Sequence, residues 1–326
     1  MLLTLLLVSV CSWQSAWAQD VVVSVSIGEP GTLGDEILTK HDPIKEVTHL
    51  TVTGPLNESD WALLQSITDL KVLDLSGASS EAVPDKQFST YSSSNDVKKL
   101  ETVKLPSNLK TIGESAFNGQ SKLVSVDLPN TVETLGSSAF SGCSVLETLN
   151  ISVLPAGIKE IPDRCFDGCK KLAPFTIPEG VTRIGNDAFR SCTLFKSTLP
   201  TTLVEIGGQA FRGAGMENIA VVLPENVELS GSYHFSESKI KSIEFPTTFY
   251  KAPTNVIYNC ENLTDVYLKS PTVLDQSNFL YRCSGIDKIH VPAHLLSAYK
   301  LDSYFKDFST KIVGDATDGY TGWWSI

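Results

Sequence analysis

Residues 100–122 read LETVKLPSNLKTIGESAFNGQSK, and the next segment of equal length, residues 123–145, reads LVSVDLPNTVETLGSSAFSGCSV. Both segments begin with leucine and then contain a Leu-Pro pair, an aliphatic residue before a glycine, and an Ala-Phe pair. A period that preserves both spacing and residue type indicates a chain built from stacked copies of one small unit. The repeat therefore predicts a solenoid.

The period continues toward the C-terminus with two irregular places. The third unit carries three extra residues around Ser152 to Leu154, and the sixth unit, from Ile219, departs from the pattern around Gly231 to His234. Regular curvature is therefore not expected at these two places. Further units begin at Ile240 and Leu263, which gives about eight units, well above the minimum of about three that a stable stack needs.

Each position of the unit has a structural meaning. The alternation of polar Thr102, apolar Val103 and polar Lys104 is typical of a short strand with one buried face. The proline that follows ends the strand, because it has no N–H for a ladder hydrogen bond. A second apolar stretch, a glycine and a tight helical turn with the Ala-Phe pair complete the unit, and the phenylalanine fills the centre of the coil. One coil cannot bury its apolar side chains alone, so the stack folds as an array.

The motif L-x-x-V-x-L-P-x-x-V-x-x-I-G-x-x-A-F-x-x-C resembles the repeat of BspA-like leucine-rich-repeat surface proteins of bacteria. The similarity implies an α/β repeat fold, a leucine-rich-repeat solenoid with short parallel strands, tight helical turns and capped ends. Residues 47–77 resemble the entry segment of such proteins, and a C-terminal helix with Leu296, Tyr299 and Phe305 resembles their terminal unit. The resemblance also implies a secreted or surface-exposed protein that binds or adheres to other proteins.

The chain is expected to divide into four segments. Residues 1–18 are predicted to be a signal peptide, and residues 19–99 an N-terminal strand and cap region with divergent first repeats. Residues 100–285 are predicted to form the solenoid, and residues 286–326 a C-terminal cap and tail. The first segment is an apolar run that ends in Ala16-Trp17-Ala18, a small-x-small pattern that favours cleavage before Gln19. Lipid attachment at Cys11 is the alternative, although Val10 stands where a lipidation motif has a small residue.

Composition excludes several functional classes. No run after residue 18 reaches the roughly 20 apolar residues of a spanning helix, so we expect a protein that is secreted or at the cell surface. The net charge of −11 repels phosphate backbones and argues against nucleic-acid binding. The sequence contains no H-E-x-x-H, Walker or G-x-S-x-G motif, and its carboxylates are scattered. We therefore predict no catalytic residues, no metal and no cofactor, and we interpret His290 and His294 as surface or cap histidines.

Six cysteines remain after removal of the signal peptide. An even number in an exported chain is compatible with disulfides. Five of them, however, share one position, three residues after the phenylalanine of the unit, and the sixth takes an alanine position. That regularity favours a column of buried free thiols, since cysteine packs as a small hydrophobe. The five are Cys143, Cys169, Cys192, Cys260 and Cys283, and the sixth is Cys165.

The outward positions of the strands are the candidate binding surface. Eight coils at about 4.8 Å per strand would form a strip about 40 Å long, enough for the roughly 800 Å² that a standard protein partner buries. The expected partner is a host or bacterial surface protein, or a surface glycan. Two alternatives remain: a structural envelope spacer, and an accessory to polysaccharide capture. The candidate residues are Thr102, Lys104, Ser125, Asp127, Thr148, Asn150, Thr176, Ser242, Glu244, Asp265 and Tyr267.

Overall fold

The computed structural model describes residues 20–90, 99–275 and 278–316. The predicted signal peptide and Cys11 lie outside these ranges. Within them, short parallel strands and tight turns repeat along the chain, which confirms the predicted solenoid. None of the helices in these ranges combines the length and the apolar character needed to cross a bilayer.

The described residues form nineteen strands, three α-helices and three short 3-10 turns. The strands are β1 Val22–Ser26, β2 His49–Pro55, β3 Val72–Ser79, β4 Ala82–Val83, β5 Thr102–Lys104, β6 Thr111–Ile112, β7 Ser125–Asp127, β8 Thr134–Leu135, β9 Glu160–Ile161, β10 Arg183–Ile184, β11 Glu205–Ile206, β12 Ala220–Val222, β13 Glu228–Leu229, β14 Ser242–Phe245, β15 Ile257–Tyr258, β16 Asp265–Leu268, β17 Leu280–Tyr281, β18 Lys288–Pro292 and β19 Ile312–Ala316. The helices are α1 Leu33–Leu38, α2 Glu58–Ser66 and α3 Leu296–Leu301, and the 3-10 turns are Ile44–Glu46, Ala293–Leu295 and Phe305–Phe308.

The strands form two rows along the solenoid. The strands of three or more residues form one row, which we call the wider row. They make two five-stranded parallel sheets, β1-β2-β3-β5-β7 and β12-β14-β16-β18-β19. The two-residue strands make the second row, as the sheets β4-β6-β8, β13-β11-β10-β9 and β15-β17. Neighbours are displaced by one whole unit, so Thr102 lies opposite Ser125 and Glu244 lies opposite Tyr267.

The wider row is interrupted between β7 and β12, where an unbroken strip was expected. Only single bridges remain there, from Ser125 to Thr148 and from Val153 to Thr176. Because Thr176 pairs with Val153, the three extra residues of the third unit have shifted the pairing register. In the fifth unit the hydroxyl of Ser197 accepts a hydrogen bond from the Ile177 amide, so a side chain replaces a ladder partner.

The sixth unit forms both of its strands although its sequence departs from the pattern around Gly231 to His234, and each of these strands lies at the edge of its sheet. It contains both β12 and β13, and each pairs in register with its neighbour. His234 takes the alanine position and Phe235 the phenylalanine position of the unit, and both are fully buried. His234 and Phe235 therefore occupy the same buried positions as the Ala-Phe pair of the other units, although the sequence around them differs.

The core is a column of phenylalanines, one from each successive coil. Neighbouring ring centroids are 5.3 to 5.6 Å apart and the rings stack with interplanar angles of at most 27°. Such stacking is favourable beyond the burial of apolar area. The column confirms that the coils bury their apolar side chains in one another; its members are Phe88, Phe117, Phe140, Phe166, Phe189, Phe211 and Phe235.

The glycine before the helical turn is required by the close approach of neighbouring coils. A Cβ at Gly136 would lie 2.3 Å from the amide nitrogen of Glu114 in the preceding unit. Backbone atoms cannot move aside at that distance without displacing the whole coil. This contact explains why Ile-Gly or Leu-Gly recurs before the Ala-Phe pair.

The six described cysteines are free and buried. The Cys143 thiol donates to the Phe117 carbonyl at 3.1 Å, and the Cys192 thiol donates to the Phe166 carbonyl at 2.9 Å. In the first unit, residues 100–122, Gln120 takes the same position and donates to the Phe88 carbonyl at 2.6 Å. In these units the position holds a hydrogen-bond donor to the preceding coil, a role that small size alone did not indicate.

Thiol reactivity tests this arrangement. Burial raises the pKa of the Cys143 and Cys192 thiols, and the thiolate is the reactive form. We expect the chain from Gln19 onward to show no rapid reaction with an aromatic disulfide reagent when folded and six reactive thiols in denaturing guanidinium. Rapid labelling of the folded protein, or fewer than six thiols after denaturation without reductant, would contradict the free, buried thiols.

Both ends of the described solenoid are closed by short helices. At the N-terminal end the buried Asp60 carboxylate accepts from the amides of Gly31 and Leu33 at 2.7 and 3.1 Å, which ties α2 to the start of α1. At the C-terminal end Tyr299 and Phe305 pack edge to face at 5.0 Å. Phe305 lies in a separate 3-10 turn and not in the helix of Tyr299, because α3 ends at Leu301.

Candidate functional site

The strand face comprises the outward side chains of the wider strand row. In its N-terminal part Thr102, Ser125 and Thr148 lie in register on neighbouring strands. Lys104 binds Asp74 of β3 at 2.9 Å, and the Asn150 amide donates to the Asp127 carboxylate. These candidate residues are brought together as predicted, and they largely satisfy one another.

Thr176 does not join this group. It pairs with Val153 inside the insertion. In a regular repeat, Thr148 and Asn150 of the third unit would instead lie beside the strand of the fourth unit, which contains Thr176. The exposed Val153 side chain also places an apolar surface at this point. The predicted 40 Å strip is therefore divided into two parts, each about 19 Å across for five strands at about 4.8 Å.

The C-terminal part of the strand face brings the remaining candidates together. Ser242 lies opposite Asp265, and Glu244 lies opposite Tyr267. The next strand adds His290 opposite Tyr267, and the two rings stack with centroids 4.1 Å apart and planes 10° from parallel. An aromatic pair thus stands at the centre of a polar sheet surface.

Two carboxylates hold the His290 ring from opposite sides. Its Nδ1 lies 2.7 Å from an oxygen of Asp315, and its Nε2 lies 3.1 Å from an oxygen of Asp265. Burial opposes ionisation of Asp265, but hydrogen bonds from Thr264 and His290 outweigh it and leave the pKa of Asp265 below its ordinary value. The carboxylate therefore stays charged at neutral pH. His290 is itself buried, so its ring is fixed in place.

Tyr267 keeps its proton in this environment. Burial and the nearby charges of Asp265, Asp315 and Glu244 raise the pKa of the Tyr267 phenol. Beside it, the Lys269 ammonium lies 2.5 Å from the Glu244 carboxylate. We call Glu244, Asp265, Tyr267, Lys269, His290 and Asp315 the C-terminal polar cluster. It offers a half-exposed aromatic ring, hydrogen-bond donors and acceptors in fixed positions.

The predicted binding residues did not include Asp315 or Lys269, and His290 was counted among the outward strand positions without being selected for binding. His290 was interpreted as a surface or cap histidine, yet it is buried on the strand face. A signal existed, because His290 follows Tyr267 by one full period. Asp315 carried no such signal, since β19 lies beyond the recognisable repeats. Among the residues that the structure describes, no group of three or more His, Cys, Asp or Glu side chains has the arrangement of a metal site.

Parallel strands, a stacked phenylalanine column and donor side chains between coils define a solenoid of leucine-rich repeats. Residues 86–217 and 182–307 match the family described as BspA type leucine rich repeat region, in six copies. The matches overlap and together cover more than half of the chain. The protein therefore belongs to the BspA-type leucine-rich-repeat family, as the sequence resemblance indicated, and such repeats are generally non-catalytic.

One solved structure shows the same fold with a TM-score above 0.5, and two others are similar. A leucine-rich repeat protein from Bacteroides ovatus is 21% identical, with a TM-score of 0.54, over 83% of this chain and 63% of that one. This chain thus spans less than two thirds of that protein. A leucine rich cell surface protein from Faecalibacterium prausnitzii is 20% identical, with a TM-score of 0.44, over 66% of this chain and 78% of that one. The pneumococcal vaccine antigen PcpA is 19% identical, with a TM-score of 0.45, over 83% and 78% respectively. No curated protein sequence matches the chain significantly.

Proposed function

We propose that this protein is an exported, non-catalytic binding or adhesion protein that uses the strand face to recognise a surface protein or a surface glycan. The C-terminal polar cluster is the principal contact. The observation that carries this proposal is the Tyr267–His290 stack, held at 4.1 Å between charged side chains on an open sheet surface.

The two parts of the strand face support different roles. Charged side chains are paired in both parts, as Lys104 is with Asp74 and Lys269 is with Glu244, but the candidate residues of the N-terminal part include no aromatic side chain, which suits a solvated scaffold. In the C-terminal part Tyr267 remains half-exposed, and tyrosine supplies a rigid surface with an apolar ring and a polar tip that interfaces favour. We therefore assign recognition to the C-terminal part and the spacer role to the N-terminal part.

The proposed location of the protein is the cell surface or the medium outside the cell. The predicted signal peptide at residues 1–18 and the names of similar proteins, a cell surface protein and a vaccine antigen, support export to the cell surface or beyond. The proposed organisation keeps the N-terminal cap region at residues 19–99, the solenoid at 100–285 and the C-terminal cap and tail at 286–326. Attachment through lipid on Cys11 remains the alternative to free secretion.

Substitution of the stacked pair tests the recognition site. The mature chain would be used to capture material from host and bacterial surface extracts, and the affinity of the captured molecule would be measured. Tyr267→Ala is expected to weaken binding at least tenfold, since removal of a central aromatic contact typically costs more than about 1.4 kcal/mol. Asp265→Asn is expected to weaken binding too, because it loosens the His290 ring.

Lys104→Ala is the matched control, since it removes a charged side chain from the N-terminal part of the same face. Its affinity is expected to stay within about twofold of the wild-type value. Equal binding by wild type and Tyr267→Ala, with unchanged melting temperatures, would reject the cluster as the binding site. Failure to capture any partner would favour the spacer alternative.

A further inference from the structure

A second aromatic surface lies outside the strand face, on the two-residue strands β15 and β17 and the turns that flank them. Ile257 and Leu280 continue the phenylalanine positions of the last units, and Tyr258 and Tyr281 follow them directly. Tyr233 occupies the turn of the sixth unit. The ring centroids of Tyr233 and Tyr258 are 5.9 Å apart, and those of Tyr258 and Tyr281 are also 5.9 Å apart.

Two arginines flank this tyrosine row. The Arg212 guanidinium lies 5.9 Å from the Tyr233 ring centroid, and the Arg282 guanidinium lies 5.6 Å from that of Tyr281. Arg282 also donates to the Tyr258 hydroxyl at 3.3 Å. These contacts hold five side chains from four successive units in one patch, which we call the tyrosine–arginine patch: Arg212, Tyr233, Tyr258, Tyr281 and Arg282.

The two arginines differ in their charge balance. Arg212 binds the Glu237 carboxylate at 3.0 Å. Arg282 is exposed and forms no ion pair with a carboxylate among the residues that the structure describes. A guanidinium held over an aromatic ring is pre-organised to bind a carboxylate through two parallel hydrogen bonds. The chain as a whole has a net charge of −11. Arg282 is a local positive charge on this surface, and it favours binding of an acidic group.

We propose that the tyrosine–arginine patch is a docking surface for a partner protein that presents an aspartate or glutamate beside an apolar side chain. The carboxylate would meet Arg282, and the apolar side chain would pack on Tyr281, which is 49% exposed. Tyrosine and arginine are the residues that most often dominate protein interfaces. The patch is separate from the C-terminal polar cluster, so this inference does not depend on the proposed function of the strand face.

The ring geometry favours a protein over a glycan. A sugar ring stacks on a free aromatic face, but here Tyr258 and Tyr281 stack on each other at an interplanar angle of 24°. The guanidinium groups lie over the outer rings. The patch therefore presents ring edges, phenol hydroxyls and a cation, which suit the mixed polar and apolar surface of a protein.

Peptide display tests the proposal with a defined probe. A library of random dodecapeptides on phage would be selected on the full mature chain. We expect enriched peptides that contain Asp or Glu next to an aliphatic or aromatic residue. An enriched peptide, made synthetically, is expected to lose at least tenfold in affinity with Tyr281→Ser and with Arg282→Gln, and to bind the Asp265→Asn variant unchanged.

The control for folding is the melting temperature, which should be unaffected because Tyr281 and Arg282 are exposed. Lack of enrichment, enrichment of peptides without acidic residues, or affinities insensitive to Tyr281 and Arg282 would overturn the proposal. Oligogalacturonate serves as a second probe. Binding of this acidic glycan that is abolished by Tyr281→Ser, without a corresponding peptide interaction, would assign the patch to glycan and would likewise overturn it.

Discussion

Replacing Phe166 with alanine is expected to lower the free energy of unfolding by about 3–5 kcal/mol, the range for truncating a buried phenylalanine. Phe166 is fully buried and stacks on Phe140 at 5.6 Å and on Phe189 at 5.4 Å, with Phe175 at its edge. Each coil of a solenoid is stabilised by its two neighbours, so a cavity in the middle coil weakens both interfaces. Urea unfolding followed by circular dichroism measures the change.

Leu194→Ala is the matched control, because the Leu194 side chain is 53% exposed in the next coil. Its effect is expected to stay within about 0.5 kcal/mol, as for most surface substitutions. If Phe166→Ala cost no more than Leu194→Ala, the stacked column would not be the main source of stability. A separate early unfolding step in the Phe166→Ala variant would indicate that the array had lost cooperativity at this coil.

Acidification is expected to destabilise the protein through His234. The ring is fully buried, and its Nε2 lies 2.9 Å from the Ser230 carbonyl, to which it donates. The Nδ1 atom is buried without a hydrogen-bond partner among the described residues. Burial lowers the pKa of His234 to about 4, although the hydrogen bond to Ser230 acts in the opposite direction. The folded protein therefore holds His234 neutral.

The pH range of this effect follows from proton linkage. The unfolded chain binds a proton at this histidine near pH 6.5, whereas the folded chain binds it only near pH 4. The stability contribution is complete above about pH 6.5 and is lost as the pH falls to about 4. With about 1.4 kcal/mol for each pKa unit, the loss amounts to about 3 kcal/mol. Urea unfolding between pH 7 and pH 4 measures it.

His234→Ala isolates this contribution from that of the carboxylates. The variant introduces the alanine that four other units carry at this position, and it retains every acidic group of the wild type. Its free energy of unfolding is expected to fall less steeply between pH 6.5 and pH 4. Parallel pH profiles for the two proteins would show that His234 is already protonated in the folded state, or that its neutral form is not required there.

The division of the strand face limits how a partner can bind. Each of the two five-stranded parts is about 19 Å across, so neither alone provides the long strip that a regular array would offer. The C-terminal polar cluster and the tyrosine–arginine patch both involve the last units of the solenoid, from Arg212 to Asp315. If both proposals hold, the two binding surfaces lie on the last units of the solenoid. The first units then separate these surfaces from the N-terminus.

The sequence by itself determined the repeat, the fold and the contents of the core. Most units place a leucine, a glycine and a phenylalanine in the same local environment, so one period predicts the buried position of Phe117 and of Phe189 alike. It also predicted that Asp265 and Tyr267 share a face. These features depend on periodicity, which is a property of the residue types and their spacing in the sequence.

The tertiary structure decided how neighbouring units meet. The length of the insertion at Ser152 to Leu154 was evident, but only the packing of the coils shows that it shifts Thr176 and divides the strand face. Likewise, Asp315 reaches His290 because β19 pairs with β18 beyond the last recognisable repeat. Contacts of this kind depend on strand register and side-chain direction between units, and a period within one unit does not encode them.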